Sequence, residues 1–164
     1  MYKRTLLLIT VVLYALPGLS QECHSLTGTW KMNPAKSFFA GMKTPDQQAE
    51  QETLVMVQDG SKIQQTWDYQ GSQIKDKVTY EFIVDGTEQK PANPIKNRRI
   101  PPTIRPEWQN CTLITEEKVV LFGSFSIGTR NTYVLADRGR QLTILQESHN
   151  NFGDTERWLV FDRQ

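Results

Sequence analysis

Two histidines, two cysteines and 18 carboxylates are the side chains from which this 164-residue chain could build acid–base, nucleophilic or metal chemistry. His24 lies in an N-terminal tail and His149 opens the polar stretch His149-Asn150-Asn151, so the two are not spaced as a ligand pair. Together with Cys23 and Cys111 they cannot make a conventional zinc site with residues to spare. No acid–base partner is written beside either cysteine, as an activated thiolate would require. Glu81 and Glu147 alternate with apolar neighbours and read as solvent-facing carboxylates. A pair of acids for glycoside cleavage is defined by separation in space, not by sequence. No glycine loop for phosphates and no serine elbow is present. The sequence therefore assigns no catalytic residue, no metal ligand and no cofactor. Catalysis stands third among the possible functions, with Gln65 and Gln146 as polar wall residues of unassigned role.

The N-terminus reads as an export signal. Lys3-Arg4 precede an apolar stretch from Leu6 to Leu16, interrupted by Thr10, and Pro17-Gly18 ends it. Gly18 and Ser20 are the small residues expected at −3 and −1 of a cut after Ser20. Eleven residues are too few to span a bilayer, which takes about 20. Residues 1–20 are thus expected to be a cleaved leader and 21–164 a single domain, secreted or periplasmic, with no membrane span. Glu22 and Gln21 before Cys23 are not the small residues a lipidated cysteine follows. In an oxidising compartment Cys23 and Cys111 have one possible pairing, a disulfide, against the alternative of two separate buried thiols. Asn110-Cys111-Thr112 also matches a glycosylation sequon. Removing Lys3 and Arg4 from the 19 basic residues leaves 17 against 18 acids, a net charge of −1, which argues against a dedicated nucleic-acid binder.

The elements that must position any site have period 2. Ile63, Gln65, Trp67 and Tyr69 share one face, and Val78, Tyr80, Phe82 and Val84 share another; Tyr133-Leu135, Leu142-Ile144 and Arg157-Leu159-Phe161 continue the pattern. Asp59-Gly60, Asp85-Gly86, Arg138-Gly139 and Phe152-Gly153 supply turns between the runs. About nine strands joined by short turns predict an all-β antiparallel meander, closed into a barrel because open edges invite aggregation. Thr44 to Glu52 is compatible with either one helical turn or an extended loop. Residues Lys90 to Pro106 carry five prolines and five positive charges without an acid. They are expected to form a long, exposed basic loop, with Arg98, Arg99 and Arg105 offering forked donors to an anionic surface.

The opening run Leu26-Thr27-Gly28-Thr29-Trp30-Lys31-Met32-Asn33-Pro34-Ala35-Lys36-Ser37 resembles that of lipocalin-like proteins secreted by soil bacteria. Gly28-x-Trp30 is also similar to the first signature of the wider lipocalin and calycin superfamily, and Trp158 to Arg163 resembles the terminal strand of the bacterial group. The resemblance implies a lipocalin-like barrel of about eight or nine strands. It also implies that Trp30 closes one end beneath an arginine of the last strand. Arg157 and Arg163 are the candidates, and Arg157 is preferred for sharing a face with Leu159 and Phe161.

Two functions of different class then remain. In one, the barrel binds a small hydrophobic molecule, with Gln65, Trp67, Tyr80, Phe82, Phe125 and Tyr133 among its wall residues. In the other, those side chains together with Phe122 fill the interior, and the protein acts through contact of the 90–106 loop with a protein or anionic surface. Eight-stranded barrels accommodate either outcome.

Overall fold

A computed structural model describes residues 23–40, 51–70, 75–91, 102–120, 125–151 and 153–164. Ten strands run in chain order: β1 Gly28–Met32, β2 Phe38–Ala40, β3 Gln51–Asp59, β4 Lys62–Gln70, β5 Lys75–Ile83, β6 Thr103–Gln109, β7 Thr112–Val120, β8 Ser126–Ala136, β9 Gln141–Asn150 and β10 Gly153–Arg163. All pairs are antiparallel, and the path through the sheet is β5-β4-β3-β1-β10-β9-β8-β7-β6, with β2 added on β10. First and last strands are therefore neighbours, Trp30 lying opposite Arg163. Between the two ends of the path, Gln89 and Ile104 exchange backbone hydrogen bonds of 2.8 Å, and Gly86 N–H donates to Pro106 C=O at 2.9 Å. These contacts bring the meander to near closure as a barrel.

The alternation fixes what faces inward. Leu54 and Met56 of β3, Ile63 and Trp67 of β4, Tyr80 and Phe82 of β5, and Leu159 and Phe161 of β10 join one apolar cluster. Two-residue turns keep these registers: Gly60 sits at φ 57° between β3 and β4, and Asn110 at φ 56° between β6 and β7. A side chain with a β-carbon strains in that region unless, like asparagine, it is short and polar.

One end of the barrel is sealed by the N-terminal segment. Leu26 is buried, and its carbonyl accepts the indole N–H of Trp30 at 3.0 Å. Above the fully buried Trp30 ring lies the guanidinium of Arg163, 4.9 Å from the ring centroid. Arg163 also donates to the carbonyls of Gly139 and Thr27. The capping arginine is thus Arg163, not Arg157. Both share the inward parity of β10, but Arg157 lies six residues upstream, ~20 Å along an extended strand. Gly28 has a matching steric role, because a β-carbon there would come 3.1 Å from Arg163 Nε.

Two other expectations are revised. Glu52, expected in a helical turn or loop, belongs to β3; residues 44–50 lie outside the described residues. Within the expected 90–106 loop, Thr103–Pro106 begin β6, while 92–101 lie outside the described residues. Pro106 is tolerated because β6 ends the path of paired strands, where a missing N–H costs no ladder bond.

Cys23 and Cys111 form a disulfide, with Cα atoms 5.1 Å apart. It ties the sealing segment to the β6–β7 turn across 88 residues of sequence. Replacing both cysteines by serine should lower the free energy of unfolding by up to about 4 kcal/mol, the loop-entropy contribution for a closure of this length. Urea unfolding of the oxidised protein and the double variant measures it; equal midpoints would mean the bridge does not constrain the unfolded chain. Arg163→Ala should cost ~0.5–2 kcal/mol in the same assay from loss of the cation–π contact, and should raise the exposure of Trp30 in its emission spectrum.

Candidate functional site

The inward-facing side chains divide the interior lengthwise. At the sealed end the layer is apolar: Trp30, Leu54, Leu142, Ile144 and Phe161 have no accessible surface. Trp67 meets Phe161 edge-on with centroids 6.0 Å apart and stacks on Tyr69 at 5.9 Å. Toward the other end, where β3 begins and β9 turns into β10, the same parity carries polar residues.

These polar residues form one chain across five strands. Asn131 Nδ2 donates to Thr115 Oγ1 at 3.1 Å, and Gln146 Nε2 donates to Asn131 Oδ1 at 2.9 Å. Arg157 Nη1 donates to Gln146 Oε1 at 3.3 Å, and its Nη2 pairs with Glu52 Oε1 at 2.7 Å. Asn131 Nδ2 also reaches Glu117 Oε1 at 3.1 Å. The register explains the order, since Thr115, Asn131, Gln146 and Arg157 lie directly opposite one another on β7, β8, β9 and β10. A charge removed from water is tolerated only when paired and hydrogen-bonded. The Glu52 side chain, 1% exposed, meets that condition through Arg157, whose own side chain remains 31% exposed although it faces inward. This half of the interior is reached by water.

Gln65 stands between the two halves. It is 3% exposed, and its Oε1 accepts from Trp67 Nε1 at 3.2 Å and from the Tyr133 hydroxyl at 3.3 Å. The indole N–H can only donate, which fixes the oxygen end of the amide. Gln65 Nε2 consequently points into the interior without a hydrogen-bond partner among the described residues. The phenol of Tyr133 is pushed above its ordinary value, first by burial and then by the Glu117 carboxylate. Tyr69 is shifted the same way by burial, then by Glu52 and Tyr80. Both phenols therefore remain neutral donors at physiological pH.

Of the residues expected to line the interior, Gln65, Trp67, Tyr80, Phe82 and Tyr133 are buried and face inward. Phe125 is half-buried and precedes β8 rather than lying on a strand, and Phe122 lies outside the described residues. Gln146 joins the polar chain. Arg105 is exposed on β6 and donates from Nε to the Gly86 carbonyl at 2.9 Å, whereas Arg98 and Arg99 lie outside the described residues. Sequence reasoning missed Glu52, Glu117, Asn131 and Thr115. The signal for Glu52 was its parity with Leu54 and Met56, which places a carboxylate on an apolar face. Among the described residues no three His, Cys, Asp or Glu side chains gather as a metal site, and no helix is long and apolar enough to cross a membrane.

No protein-family model and no curated protein matches the chain. Solved structures do, by shape. The REP1-NXSQ fatty acid transporter shares 12% identity at a TM-score of 0.55, over 85% of this chain and 96% of its own. The zebrafish ileal bile acid-binding protein complexed with cholic acid shares 13% at 0.56, over 84% and 98%. A secretary abundant heat soluble protein from Ramazzottius varieornatus shares 10% at 0.55, over 85% and 95%. At such identities the likeness establishes the architecture alone, an antiparallel, nearly closed β-barrel.

Proposed function

We propose that this chain is an exported binding protein that holds a small, predominantly apolar molecule inside its barrel. The observation that carries the proposal is the lengthwise division of the interior, an apolar layer at the sealed end and a water-reached polar chain beyond it. The buried Gln65 amide between them leaves one N–H unused. Ligand sites are typically apolar concavities with a few oriented polar groups. Two similarly shaped proteins are described as a fatty acid transporter and a bile acid-binding protein, which accords with an interior ligand. Trp67, Tyr80, Phe82 and Tyr133 would supply the wall and Gln65 a polar contact. Export rests on the leader read in residues 1–20, and the Cys23–Cys111 disulfide suits an oxidising compartment.

A specific contact favours the other reading. The Tyr133–Gln65 hydrogen bond joins β8 to β4 through the interior, so at that level side chains meet rather than part. In that case function would lie on the surface, with the exposed Arg105 and its neighbours Arg98 and Arg99 meeting an anionic partner.

Titration with a neutral apolar fluorophore, followed by tryptophan emission, separates the two. Saturable binding is expected, weakened in a folded Trp67→Ala variant. If no saturable binding occurs and Trp67→Ala only destabilises, by ~3–5 kcal/mol as for a filled core, the interior is packed. The surface alternative then predicts that exchanging Arg98, Arg99 and Arg105 for glutamine abolishes salt-sensitive retention on an anionic resin. Export has its own check: mass spectrometry of the exported protein should find Gln21 as the first residue, and an intact Met1 there would refute it.

A further inference from the structure

The two end strands of the sheet path, β5 and β6, run in the same direction, and no ladder joins them among the described residues. The seam between them is filled by a strap, residues 85–91, which turns back after β5 at Asp85-Gly86. Gln89 holds both sides of that seam. Its backbone N–H and C=O pair with Ile104 of β6, each at 2.8 Å. Its side-chain amide reaches the other way, accepting the Ile83 N–H of β5 at 2.9 Å and donating to the Ile83 C=O at 2.7 Å. A side-chain amide thus takes the place of a peptide group in the ladder. Arg105 supports the β6 side by donating from Nε to the Gly86 carbonyl at 2.9 Å.

Resting on the binding reading, we infer that the seam between β5 and the strap is the gate by which the apolar molecule enters and leaves, with the Gln89 side chain as its latch. The apolar layer lies directly behind this seam. Tyr80 and Phe82 of β5, Val84 just after it and Ile104 of β6 belong to the core cluster, and Trp108 packs against them. The route from the water-reached end is different in kind. It leads past the Glu52–Arg157 pair and the bonded amides of Gln146 and Asn131. An apolar molecule passing there strips water from charged and polar groups and offers them no hydrogen bond in return. At the seam it meets side chains like itself. The seam also opens more readily than the ladders beside it. β5 is zipped to β4 from Lys75 to Ile83, and β6 to β7 from Thr103 to Gln109. The latch is a flexible side chain whose bonds to Ile83 are exposed, so that water can replace them.

The test is the rate at which a neutral apolar fluorophore binds to and leaves the oxidised full chain, followed by stopped-flow tryptophan emission. Gln89→Ala should raise both rates at least about threefold while Kd stays within about twofold, as expected when hydrogen bonds of modest net strength close a gate and do not touch the ligand. A second variant works in the opposite direction. Ile83→Cys/Gln89→Cys, bridged by a short bifunctional alkylating reagent, should exchange at least about tenfold more slowly than the same variant capped with a monofunctional one, because opening limits release. Wild-type rates in Gln89→Ala, or equal rates in the bridged and capped forms, would overturn the inference and leave the binding reading standing. So would a change confined to the dissociation rate, which would make Gln89 a ligand contact. Absence of saturable fluorophore binding would remove the binding reading and the inference together. Each variant decides by itself, so the failure of one to fold leaves the other.

Discussion

The ion pair between Glu52 and Arg157 is the contact around which the interior is organised. A carboxylate as deeply buried as Glu52 is untenable alone, and removing its partner would leave a stranded charge costing several kcal/mol. The pair joins β3 to β10 beyond the end of β1, which lies between them in the sheet. It also sets the orientation of everything downstream. Arg157 donates to the oxygen of Gln146, so the Gln146 nitrogen must face Asn131, whose own nitrogen then turns to Thr115 and Glu117. One buried charge thus dictates the direction of a hydrogen-bond chain running across β10, β9, β8 and β7. Such chains are costly when incomplete and specifying when complete.

The opposite end is held by different physics. There the Arg163 guanidinium remains at the surface, its charge largely hydrated, while its flat face covers Trp30. Glycine at position 28 leaves room for it, and the N-terminal segment, anchored by the disulfide, supplies Leu26 as the final apolar layer. Two arginines on one strand and one face therefore do unrelated work. Arg163 seals the barrel from outside by stacking, whereas Arg157 balances a carboxylate within. Their separation along β10 allocates these tasks, since neither side chain could cover the other's position.

What could be read in the sequence and what could not divides along the same line. Period-2 alternation is local, so the inward faces of β4, β5 and β10 and the all-β barrel were legible from a few residues at a time. Gly28-x-Trp30 marked the sealed end through its resemblance to the first lipocalin signature, a motif that is likewise local. Glu52 was not legible, because its partner lies 105 residues away and only the completed barrel brings Arg157 to it. The choice between Arg157 and Arg163 turned on register, as both have the same parity and only the pairing of Trp30 with Arg163 distinguishes them. The prolines of 90–106 pointed to a loop throughout, yet Pro106 lies in β6, which is terminal in the paired sheet and so tolerates a missing N–H.

A barrel of this size can be filled or hollow without change of fold, so architecture shared with carriers of fatty and bile acids leaves ligand chemistry undetermined. In this chain the guanidinium that could greet an acid is engaged by a buried carboxylate, and a second carboxylate stands beside it on the polar chain. The Gln65 N–H, held at the boundary between apolar layer and polar chain by the indole of Trp67, has no hydrogen-bond partner among the described residues. Trp67 can do no other than donate, so the amide cannot rotate to hide its nitrogen without orphaning the indole instead. The unused amide N–H is therefore a consequence of the packing of the apolar layer itself.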